Sequence, residues 1–142
     1  MRNLLAVVAI FTAAHAWIPA VAQEAATPAT PAAPAAAEPH YSNKWRLQVS
    51  EGANNDGVMR FRVTPRDGTP ADVNVQLKKG RGEDGSARDI RDAFKAALDR
   101  KTYKVELDDG EDVLVKRRKG PDFAIELVES TVEGTRVNFD RE

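Results

Sequence analysis

The chain has 142 residues, no cysteine, 30% charged side chains and a formal net charge of −1. That length holds one modest domain and excludes a multidomain enzyme, while the missing cysteine removes disulfide scaffolds, thiolate zinc sites, iron–sulfur clusters and cysteine nucleophiles. The two histidines, His15 and His40, lie outside any expected core, so most catalytic repertoires are absent too.

After Met1-Arg2-Asn3 comes an apolar run from Leu4 to Ala14, then a looser stretch that ends in the small-x-small triplet Ala20-Val21-Ala22 before Gln23. These are the three physical parts of a secretory signal, with cleavage expected after Ala22. Pro19 interrupts the run before it reaches the roughly 20 apolar residues that a membrane span needs. Loss of residues 1–22 removes Arg2 and no acidic group, so the net charge moves from −1 to −2 and selects no partner by itself. A cysteine-free exported domain points to the bacterial periplasm, because small secreted eukaryotic domains usually lean on disulfides.

Residues 23–40 read as a linker. From Gln23 to Pro39 the chain is alanine and proline with few other side chains, none of them aromatic or branched aliphatic. Such a segment cannot build a core. In polyproline II it reaches about 50 Å at roughly 3.1 Å per residue. The folded domain is expected over residues 41–142.

Within that domain the apolar residues recur mostly with period two. Trp45, Leu47 and Val49, then Met59, Phe61 and Val63, then Val73, Val75 and Leu77 predict three strands, with turn residues at 54–57 and 65–70 between them. The period then lengthens: Ala87, Ile90, Phe94, Ala97 and Leu98 predict one helix to about Arg100, with Ser86-Ala87-Arg88-Asp89 as its capping box. Alternation returns at Tyr103-Leu107, Val113-Val115, Phe123-Leu127 and Val137-Phe139, punctuated by turns at 108–110, 119–122 and 133–135. Strands that are apolar on one side only belong in an antiparallel sheet. The expected class is α+β: about seven strands in one antiparallel sheet (three strands, one helix, a four-strand meander), the helix packed on the apolar face.

Two motifs invite a cofactor or metal, and neither is expected to carry one. Gly80-Arg81-Gly82-Glu83-Asp84-Gly85 has the spacing of a dinucleotide loop, but Glu83 and Asp84 stand where a pyrophosphate would approach and no second βαβ unit follows. Asp108-Asp109-Gly110-Glu111-Asp112 has the oxygen-rich composition that Ca²⁺ prefers, but lacks the ligand spacing of a calcium loop and reads as a solvated turn. No cofactor, metal or catalytic residue is assigned.

The charge pattern carries the functional expectation. With the apolar side of each strand buried, Lys44, Arg46, Arg60, Arg62, Lys78, Lys104, Lys116 and Arg136 fall on the wet side, opposed chiefly by Glu106 and Glu126. A neutral chain can then present a positive surface, with Arg46, Arg60, Arg62, Lys104, Lys116 and Arg136 as the expected partner-binding residues and Lys116-Arg117-Arg118-Lys119 extending the field. The expected function is a periplasmic, non-enzymatic binding or adaptor module for an anionic envelope polymer or an acidic protein. Nucleic acid is not expected, since the face shows no stacking aromatics among its basic groups. The alternative is an inhibitor or immunity-type protein that inserts the 54–57 or 79–85 loop into an enzyme; a carboxylate-dependent hydrolase ranks last.

Overall fold

The structure is a computed structural model that describes residues 39–142. The signal sequence and the linker up to residue 38 lie outside the described residues. Seven strands and one helix follow in order: β1 (Lys44–Ser50), β2 (Gly57–Pro65), β3 (Ala71–Leu77), α1 (Glu83–Ala97), β4 (Tyr103–Asp108), β5 (Asp112–Arg117), β6 (Phe123–Ser130) and β7 (Arg136–Arg141). The class is α+β, and every strand pair is antiparallel. Among the described residues, no helix is long and apolar enough to cross a membrane.

The strands form two sheets instead of one. One has the order β4-β5-β1-β7 and the other β3-β2-β6. The expected meander is corrected with it: β4 and β5 form a hairpin, but the links from β5 to β6 and from β6 to β7 pass between sheets, and β1 enters between β5 and β7. The physical reason is coverage. A single flat sheet of seven strands would expose most of its apolar side beyond the reach of one 15-residue helix, whereas two sheets bury their inner faces against each other.

One core results. Leu47, Met59, Phe61, Val73, Phe94, Val113 and Phe123 are fully buried, and the strand residues share a cluster with Ala87, Ile90, Phe94 and Leu98 of the helical segment. α1 touches both β3 and β4, each an outer strand of its own sheet. At another corner Ser42 bridges Phe123, and the Trp45 indole Nε1 donates to the Phe123 carbonyl at 2.8 Å, which holds the start of β1 to β6.

The helix begins one turn earlier than its expected cap. Gly82 is the N-cap, and Ser86 lies inside the first turn, buried, with its hydroxyl unpartnered. The preceding loop sets this start. Gly80 takes φ +80°, where a side chain would be strained, and the Arg81 N–H donates to the Lys78 carbonyl at 3.0 Å. The helix stops at Ala97 because Asp99 captures the next segment: its side chain accepts from the Lys101 N–H and the Thr102 hydroxyl, and its carbonyl accepts from the Tyr103 N–H.

Candidate anion-binding cleft

The basic residues expected to share one face occupy two. Arg60 and Arg62 lie on β2 of the three-stranded sheet, while Lys44, Arg46, Lys104, Lys116 and Arg136 lie on the four-stranded sheet. Each also has a carboxylate. Arg62 holds Asp72 through two bonds of 2.8 and 3.1 Å, Arg60 meets Glu129 at 3.2 Å, and Arg46 sits among Asp112 (2.8 Å), Asp108 (3.1 Å) and Glu142. Lys104 and Lys116 share Glu106 at 2.6 Å each, Lys44 pairs with Glu142, Lys78 with Asp56 and Arg136 with Glu51. Strand register causes this: Arg62 stands directly opposite Asp72, and Arg60 opposite Glu129. Exposed pairs of this kind contribute about 0–1 kcal/mol each, but they cancel the field. The continuous basic face built on Arg46, Arg60, Arg62, Lys104, Lys116 and Arg136 is therefore absent.

Positive charge outside ion pairs collects at the C-terminal end of α1, tempered by Asp99, whose pKa is lowered by the Thr102 hydroxyl, the Lys101 N–H and the nearby Lys119 and Lys101 charges. Among the described residues, Lys95, Arg100, Lys101, Arg118 and Lys119 have no carboxylate within ion-pair distance. They come from two stretches of sequence that a single hydrogen bond joins, from the Arg118 N–H to the Thr102 carbonyl at 2.7 Å. The end of a helix favours cations, because the last carbonyls carry partial negative charge.

Beside this cluster is a concave site. A cavity of about 500 Å³ is lined by Lys95, Leu98, Arg100, Tyr103, Lys104, Val105, Glu106 and Arg118. Three cations outside ion pairs, Lys95, Arg100 and Arg118, thus stand beside the Lys104–Glu106 pair over an apolar floor. The size falls in the usual range for ligand sites, and an apolar floor with a few convergent charges is their usual make-up. Burial pushes the Tyr103 phenol above its ordinary value, so it stays neutral. Of the expected partner-binding residues, only Lys104 belongs to this cleft. Arg118 lies in the basic run that was expected to extend the field; Lys95 and Arg100 were not foreseen, although the doublet Arg100-Lys101 in a turn has no facing strand to supply an acid.

Among the described residues Glu106 is the one carboxylate that lines the cleft, and hydrogen bonds from Lys104 and Lys116 lower its pKa to about 2. It is fully ionised at neutral pH and unsuited to proton transfer there. A folded-state pKa below the unfolded value contributes stability above the unfolded pKa and loses it as pH falls towards the folded one. Glu106→Gln is therefore expected to flatten the pH dependence of stability between about pH 5 and 2, by on the order of 1 kcal/mol after solvent screening. Urea denaturation across that range checks it; equal slopes in both proteins would contradict the ion-pair assignment.

The opposite end of α1 is acidic. Glu83 and Asp84 open the helix, Glu111 lies close enough to Glu83 that their repulsion raises its pKa, and the Glu83 carboxylate accepts the Glu51 N–H. The carboxylates of the 108–112 turn diverge: Asp108 and Asp112 hold Arg46, while Glu111 faces Glu83. Among the described residues no three His, Cys, Asp or Glu side chains are grouped to hold a metal ion. The glycine loop is also engaged. The Gly80 N–H donates to the Ala53 carbonyl, and the Arg81 carbonyl accepts from the Ala53 N–H. Those groups are thus spent on the neighbouring loop.

Comparison with known proteins adds no precedent: no protein-family model matches the chain, and no curated protein matches it significantly.

Proposed function

We propose that this is a non-enzymatic binding or adaptor module, exported to the bacterial periplasm and released after Ala22, that holds an anionic polymer or an acidic protein. The attachment site is the cleft at the end of α1 and not the outer sheet faces. The observation that carries this reading is the gathering of Lys95, Arg100 and Arg118, none of them in an ion pair, around one cavity whose acid, Glu106, is held by Lys104 and Lys116. Long-range attraction into a concave site raises local anion concentration and association rate. The inhibitor reading has less support, because its two loops are tied to each other through Ala53, Gly80 and Arg81 and stand at the acidic end.

The test is binding of a fluorescent polyglutamate to the purified chain. Affinity is expected to fall steeply with salt, since the Debye length shortens from about 10 Å at 0.1 M to about 3 Å at 1 M. Arg100→Glu with Arg118→Glu is expected to weaken binding by about tenfold or more, while Arg60→Glu with Arg62→Glu changes it little, those two being already paired. Glu106→Gln acts in the other direction and tightens binding. Salt-independent binding, or a larger loss from the Arg60 and Arg62 pair, would remove the cleft as the site.

A further inference from the structure

We propose that the cleft takes an acidic segment of a partner protein in extended conformation, added as a new strand along the free edge of β4. This rests on the anion-binding reading above and narrows it to one class of partner.

Among the described residues β4 pairs with β5 alone, so no strand lies along its other edge. The direction of its backbone groups follows from one hydrogen bond. The Thr102 carbonyl accepts from the Arg118 N–H, and Thr102 continues the register in which Tyr103 faces Arg117 and Lys104 faces Lys116. Hydrogen-bonded and non-bonded pairs alternate along an antiparallel ladder, so Lys104 and Glu106 bond to β5 while Tyr103 and Val105 turn their main-chain groups outward. The Tyr103 N–H is taken by the Asp99 carbonyl. Those of Val105 have no partner among the described residues.

The open backbone and the charges coincide. Tyr103, Lys104, Val105 and Glu106 are the consecutive residues that line the cavity. An added strand would place alternate side chains on opposite sides: one set beside Lys104 on the outer face, the other towards Leu98, Tyr103 and Val105. The first set is matched by acidic residues, with Arg100 and Arg118 nearby and Glu106 held by Lys104 and Lys116, and the second by apolar ones. The segment that fits alternates acidic and apolar residues. A flexible polyanion could neutralise the cations but would leave the Val105 N–H and C=O unpaired, whereas a peptide satisfies both. Lys104 also discourages neutral or basic strands, as lysines on sheet edges generally do.

The experiment uses the purified chain and a peptide of alternating glutamate and valine, beside the same peptide N-methylated on alternate residues in each of two phases, with inorganic polyphosphate as the backbone-free anion. The proposal expects one N-methylation phase to lose affinity by roughly three- to tenfold per hydrogen bond removed while the other does not, and the Val105 amide to exchange more slowly in the complex. Val105→Pro, which removes the N–H at an edge position where proline is tolerated, should abolish peptide binding and spare polyphosphate. The N-methylated peptides keep the test decisive if that variant does not fold. Equal binding of both N-methylated phases, or polyphosphate binding without peptide binding, overturns the added strand and leaves the anion site standing. Binding of neither ligand overturns both.

Discussion

Phe61→Ala is expected to lower the stability of the domain by about 3–5 kcal/mol, read as a drop in the urea midpoint with little change in slope. Phe61 is fully buried on β2. Its ring meets Phe94 of α1 edge-on, with centroids 5.4 Å apart, and Phe139 of β7 at 6.3 Å. One side chain thus joins the three-stranded sheet, the helix and the outermost strand of the four-stranded sheet. Truncation forfeits the transfer energy of the ring and leaves a void that three separate elements would have to close, and interiors packed to crystal-like density relax only partly. A loss below about 1.5 kcal/mol would mean that the sheets close over the gap, and so that their packing is looser than the contacts require.

Gly134→Ala is expected to be nearly as damaging, at about 2–4 kcal/mol, although it adds only one carbon. Gly134 has φ +91°, a conformation that alanine adopts only under strain. A Cβ there would also run into the main-chain oxygen of Gly52 and come within 2.7 Å of Asn54 Nδ2. The loop cannot shift away. The residue before it is fastened twice, since the Glu133 carbonyl accepts from the Asn54 N–H at 2.9 Å and the Glu133 N–H donates to Asn55 Oδ1 at 2.7 Å. Thermal denaturation of the variant reads the effect directly. An unchanged midpoint would show that the 52–54 and 133–134 loops are not held against each other.

The elements themselves were legible in the sequence. Period-two alternation found all seven strands, and the single change to helical spacing found α1, because each pattern is local and is set by which side of the backbone meets water. The pairing of strands was not legible. Alternation says that Arg62 and Asp72 point outward, but it does not say that they stand opposite each other. That register turned the expected basic face into a set of ion pairs, and the choice of pairing partners divided one sheet into two. Ser86 misled for a similar reason: its spacing to Asp89 resembles a cap, yet the tight turn at Gly80 had already started the helix at Glu83. Lys116-Arg117-Arg118-Lys119 was visible as a basic run, whereas its meeting with Arg100 and Lys95 depends on the return of β4 and β5 to the end of the helix.

Acid at the start of α1 and base at its finish stand apart by the length of a 15-residue helix, about 22 Å. With Arg81 and Arg88 paired among those acids the separation is partial, and for the proposed anionic partner it would bias approach towards the Arg100 and Arg118 end.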